Sequence, residues 1–152
     1  MMDTGAEGSA TDAIAHKPAA WAGTAYDGEP GSIAAARHFA AHFLTRLQGQ
    51  YGIAVARDAV GTVQLVVSEL ITNACKYAPG PSSLSLEFAA RMLEITVSDS
   101  SPALPLVRGP EPTRVGQHGL EIVMALTEGF QVQRKPFGKR IKVRVPLLPD
   151  SP

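Results

Sequence analysis

Glu69, Asn73 and Lys76, in the stretch SELITNACKYAPG (68–80), place a carboxylate, a carboxamide and an ammonium on a segment that is otherwise apolar or small. At 100° per residue the three fall within about 60° of one another, roughly 100° round the helix from the apolar stripe. Read as a plain solvated face, Glu69 and Asn73 form an ordinary i,i+4 pair. Read as a site, they offer more. Asparagine is a poor residue for a helix interior, and its carboxamide oxygen is a hard ligand suited to Mg²⁺. A glutamate one turn earlier is placed to orient or deprotonate a hydroxyl or water near the same metal.

Two further stretches carry polar groups at informative places. In ITVSDSSPALP (95–105), Asp99 continues the strand face of Leu93, Ile95 and Val97, so it points toward the apolar layer and needs a partner there. An adenine amino group is a suitable donor; the plain alternative is that Asp99 starts a turn with Ser100, Ser101 and Pro102. In VGQHGLEIV (115–123), Gly116 and Gly119 stand just before or at the start of an apolar helix. Bare N–H groups and the helix dipole can hold phosphate oxygens there, with Arg114 close enough to add a cation. A lone Gly-x-x-Gly also reads as a glycine-relieved loop-to-helix junction, and His118 between the glycines as a capping or packing group.

These residues need elements to hold them. Residues 1–17 are small, polar and aperiodic, which predicts a flexible tail, with the fold running from residue 18 to 147 and a short C-terminal tail at 148–152. Trp21 to Tyr26 reads as a short edge strand. Ser32 is an N-cap candidate for a helix through Leu47 with Ile33, Ala36, Phe39/Ala40, Phe43 and Leu47 on one face. Asp58 opens a second helix, striped by Val60, Val63, Val67, Leu70, Ala74 and Tyr77 and ended by Pro79-Gly80.

Alternation then takes over. Leu84, Leu86 and Phe88, a turn at Ala89 to Arg91, and Leu93, Ile95 and Val97 predict a hairpin buried on one face. Ser100 to Gly116 holds four prolines and no periodicity, a lid-like loop of functional length. A short helix from Gly119 to Thr127 precedes strands at Phe130 to Arg134 and Ile141 to Val145, joined by a PFGK turn. The order predicts an α/β sandwich of two layers, with helices on one face of a mixed, mainly antiparallel sheet.

Composition narrows the partners. The 152 residues suit one domain with a proper core, and 14 basic against 14 acidic residues leave no net charge to draw in nucleic acid or an acidic membrane. No run approaches the span of a bilayer, the N-terminus lacks a signal-peptide pattern, and the single cysteine, Cys75, reads as a buried small side chain in a reducing compartment. The expectation is a cytoplasmic protein.

Taken in order, ELITNACKYA, ITVSDSSP, GQHGLEIV and GKRIKVRVPL resemble the ATP-binding domain of the GHKL superfamily, shared by histidine kinases, gyrase-type topoisomerases and mismatch-repair proteins. More narrowly they resemble the short anti-sigma-factor serine/threonine kinases. The resemblance covers about Trp21 to Val145 and implies a Bergerat-type fold with ATP and Mg²⁺ as cofactors. It implies that Asn73 binds Mg²⁺, Asp99 reads adenine, Glu69 is the general base, and Gly116 and Gly119 cradle phosphates. Lys76, Arg114, His118 and Leu120 complete the residues it assigns to the nucleotide, the proline-rich segment becomes the lid, and Gly138-Lys139 takes the place of a late glycine box.

One departure stands out. The family usually follows its aspartate with Gly-x-Gly, where this chain has Ser100-Ser101-Pro102-Ala103. The resemblance also implies partners: a sigma factor and an antagonist protein phosphorylated on serine, with a homodimer as a further expectation. A non-catalytic interaction module with a degenerate nucleotide site is the competing reading. A detached histidine-kinase ATPase half is the third, although His38 and His42 read as ordinary surface residues.

Overall fold

The computed structural model describes residues 20–78, 80–100 and 115–149, with the side chains of 115–118 outside the description. The elements are β1 (Ala20–Tyr26), α1 (Gly31–Gln50), α2 (Arg57–Tyr77), β2 (Ser82–Ala89), β3 (Met92–Asp99), α3 (Val115–Leu126), β4 (Glu128–Lys135) and β5 (Gly138–Pro146). The expected tail at 1–17, Arg114 and most of the expected lid lie outside the described residues.

The five strands form one open sheet in the order β1-β2-β3-β5-β4, and every pairing is antiparallel. All three helices lie on one face, which gives the expected two-layer α/β sandwich. The sequence left room for a mixed sheet, and none of these pairs is parallel. The core follows from the periodicities. Ala36, Ala40, Phe43, Leu44 and Leu47 of α1 and Val63, Val67, Leu70 and Ala74 of α2 meet Leu84 and Leu86 of β2, Leu93 and Ile95 of β3, and Val143 and Val145 of β5. β4 at the sheet edge is exposed along most of its length.

Several local expectations shift. Pro30, not Ser32, holds the N-cap position of α1; it makes no side-chain cap, and Ser32 is buried in the first turn. Proline suits a helix start because it has no N–H to leave unpaired. α2 begins at Arg57 and ends at Tyr77, with Ala78 as C-cap donating its N–H to the Ala74 carbonyl. α3 starts at Val115 instead of Gly119, so Gly116 and Gly119 both lie within its first two turns. Cys75 is only half-buried, its thiol directed at the Glu29 carbonyl. Burial, then the charges of Asp27 and Glu29, push that thiol above the ordinary range.

The β2–β3 hairpin closes through a two-residue turn in which Ala90 and Arg91 both have positive φ, 54° and 69°. That is type I′ geometry, which normally selects Asn-Gly. The chain stays packed beyond β5: Leu147 is buried, accepts from the Ala56 N–H and donates to the Arg91 carbonyl.

Candidate functional site

α2 is flanked by α1 on one side and α3 on the other, and this decides where its polar residues go. Val66, one flank of α2, is fully buried, and Asn73 lies seven residues later on the same flank. Asn73 is therefore 2% exposed, not part of a solvated ridge, and neither its carboxamide oxygen nor its nitrogen has a hydrogen-bond partner. The periodicity of α2 alone cannot reveal a third helix lying over that flank. Leaving such a group buried and unpaired costs about 1–3 kcal/mol, so it calls for an explanation.

Glu69, one turn before Asn73, is half-buried because α3 passes close by. A Cβ on Gly119 would collide with the Glu69 carboxylate, so the glycine is what admits that side chain between the helices. Leu120, next along, is fully buried and fastens α3 to the core. Lys76 is exposed on the outer side of α2. Gly116 is the second residue of α3, in the turn whose N–H groups have no helical partner. The side chain of His118 lies outside the description.

The second cluster comes from strand register. β3 alternates without a break, so Asp99 is buried on the same face as Leu93, Ile95 and Val97. Its partner across β2 is Ser82, which in turn pairs with Tyr26 of β1. On the other side β5 carries Lys139, one step beyond the Ser98–Arg140 pair, and Lys139 is opposite Arg134 of β4. Tyr26, Ser82, Asp99, Lys139 and Arg134 thus form a row across all five strands on the helix side. Every member is polar.

The centre of this row is closely built. Lys139 Nζ lies 2.6 Å from Asp99 Oδ2, and both side chains are at most 4% exposed. The Ser82 hydroxyl is buried without a partner. Gly138 has φ +119°, and an added Cβ would fall onto the Asp99 carbonyl and within 2.8 Å of Ser100 Cα. Gly138 thus lets the start of β5 lie directly against the backbone that follows Asp99. Gly80, also at φ +119°, lies beside Ser100 and against Gly28, so the α2–β2 and β1–α1 turns meet at this end of the sheet. Burial of Tyr26 raises its hydroxyl pKa.

Sequence reasoning placed Asp99 on the inner face but missed its ion pair. The signal was present: in GKRIKVRVPL the inward positions run Lys139, Ile141, Val143, Val145, so the strand's alternation already carries a lysine inside. A groove of about 500 Å³ bounded by Val55, Arg57, Asp58, Leu126, Pro146 and Leu148 lies at the far end of α2 and holds none of the candidate residues. Among the described residues no three His, Cys, Asp or Glu side chains stand together as a metal site. A divalent ion at Asn73 would share its coordination with oxygens of a bound ligand.

An open antiparallel sheet covered on one face by three helices, ordered β1-β2-β3-β5-β4, is consistent with a GHKL α/β sandwich. The chain belongs to the family described as the histidine kinase-like ATPase domain, which matches residues 27–145. Among solved structures it is similar to the RsbU and RsbW domains of Rv1364c from Mycobacterium tuberculosis, at 15% identity and a TM-score of 0.63, over 86% of this chain and 32% of that one. It therefore spans about a third of that protein. A histidine kinase domain from the Erythrobacter litoralis EL346 blue-light activated kinase aligns at 22% identity and a TM-score of 0.47, over 76% of this chain and 61% of that one. No curated protein matches the sequence. Among the described residues no helix is long and apolar enough to cross a membrane.

Proposed function

We propose that this protein is a cytoplasmic regulator that binds Mg·ATP, holds a sigma factor, and phosphorylates an antagonist protein on serine. The observation that carries the nucleotide reading is the buried, unpaired carboxamide of Asn73, one turn from a glutamate that Gly119 admits between α2 and α3. Mg·ATP supplies the transferable phosphoryl group and the cation that neutralises its charge. Asn73 contributes a hard oxygen to that cation. The first turn of α3, with Gly116, offers N–H groups to phosphate oxygens, and Arg114 and His118 belong to the same stretch. Asp99 accepts the hydrogen bond of the base amino group, while Lys76 and Leu120 border the nucleotide. Glu69 takes the proton of the attacking hydroxyl.

A general base acts chiefly in the transition state, so Glu69→Gln should leave Mg·ATP binding nearly intact while lowering phosphoryl transfer by about 10²–10⁴-fold. Proteins captured on the immobilised chain with Mg·ATP would be assayed for phosphoserine. Phosphoserine formed with wild type and lost with Glu69→Gln supports the kinase; ATP-dependent capture without phosphorylation removes it. One observation favours a non-catalytic, nucleotide-dependent interaction module with a degenerate site instead: Asp99, the carboxylate assigned to adenine, already carries a buried cation, Lys139. That second reading requires partner affinity to respond to ATP even in Glu69→Gln.

A further inference from the structure

Lys139 is the only lysine among the described residues whose side chain is fully buried. Lysine is almost never found so unless paired, and its pair is Asp99 at 2.6 Å. An ammonium has three donors, yet Lys139 Nζ makes no aligned hydrogen bond. The ion pair balances charge and leaves directional donor capacity unused. The position is also built. Gly138, at φ +119°, presses the start of β5 onto the Asp99–Ser100 backbone, and the next residue turns inward beside the carboxylate. With the Ser82 hydroxyl unpaired one strand away, this end of the sheet presents an acceptor and a donor side by side.

The Watson–Crick edge of adenine has the complementary order, an amino donor on C6 next to an acceptor at N1. We infer that Lys139 is a second base-reading residue: Asp99 accepts from the amino group and Lys139 donates to N1. The assignment rests on the nucleotide reading above and sharpens it, because two contacts now set the base instead of one. Guanine inverts both, turning a carbonyl toward Asp99 and an N–H toward Lys139, and the pair rejects it twice over.

The test is equilibrium binding of ATP, GTP and 1-deaza-ATP, in which N1 is replaced by C–H, to the wild-type chain and to Lys139→Met. Wild type should bind 1-deaza-ATP at least about tenfold more weakly than ATP, as expected for losing one hydrogen bond from a charged donor, and GTP more weakly still. In Lys139→Met the difference between ATP and 1-deaza-ATP should vanish, because the group that sensed N1 is gone. Equal binding of ATP and 1-deaza-ATP to wild type overturns the role of Lys139 and leaves Asp99 as reader. Absence of ATP binding to wild type overturns the nucleotide reading itself. The wild-type comparison decides the matter even if Lys139→Met folds poorly.

Discussion

The two ends of the sheet's inner face are built on one alternation and filled with opposite chemistry. Next to the hairpin turn, the row Ala20, Phe88, Leu93 and Val145 is wholly apolar and buried. Three steps along the same strands, the row Tyr26, Ser82, Asp99, Lys139 and Arg134 is wholly polar, and its three central members are as buried as the core. The first row stabilises by removing apolar surface from water, at about 25 cal/mol per Å². The second opposes folding, because it buries an ion pair and an unpaired hydroxyl. Strand register delivers both sets to the same side, so the difference lies in the residues each end carries and not in the backbone that positions them.

The largest effect that sharpens this contrast is expected at the ion pair. Lys139→Met leaves Asp99 buried without its cation and should cost about 3–5 kcal/mol in urea unfolding. Replacing both members, Asp99→Leu with Lys139→Met, should recover most of that loss. At the apolar end Leu86→Ala should cost about 2–5 kcal/mol through lost burial and a cavity, without altering nucleotide affinity of the folded chain. If the double replacement were no better than Lys139→Met alone, the polar row would be structural like its counterpart, and the contrast would fail.

A smaller effect of opposite sign is expected at Asn73. Removing a buried carboxamide with no partner, and placing alanine in a helix interior, should raise stability by about 1 kcal/mol. The same Asn73→Ala change should abolish the Mg²⁺-dependent part of ATP binding, read by titration with and without the metal. Stability lost together with unchanged Mg²⁺ dependence would assign Asn73 to the scaffold.

The smallest effect concerns Cys75, near the C-terminal end of α2. Its thiol is raised by burial first and by Asp27 and Glu29 next, so alkylation by iodoacetamide should reach half its limiting rate at a higher pH than a free thiol. Asp27→Asn should lower that midpoint. Because the folded pKa is the higher one, the thiol's contribution to stability is complete below the unfolded pKa and disappears as pH rises through the folded one.

Much of this was legible in the sequence, for reasons that can be traced. The strands were readable because Leu84, Leu86 and Phe88 and then Leu93, Ile95 and Val97 alternate without a break, and the same period carried Asp99 inward. Asn73 was read as a possible metal ligand from its residue type, yet its burial was not foreseen, since that depends on α3, some forty residues later. Lys139 was read only as part of a late glycine box, and its ion pair was missed because the partner lies in another strand. The start of α3 was placed four residues late, at Gly119 instead of Val115, because glycine reads as a boundary when it is in fact making room for Glu69.

The Ala90–Arg91 turn gives the molecule a practical handle. Both residues hold a left-handed conformation that costs a non-glycine residue roughly 1 kcal/mol or more, and no candidate residue is near. Ala90→Asn with Arg91→Gly would relax the turn while keeping the Arg91 carbonyl that receives the Leu147 N–H. Distant substitutions add nearly independently. The relaxed turn is therefore a general suppressor: a background in which an otherwise unfoldable variant at Lys139 or Asp99 survives long enough for its ligand preferences to be measured.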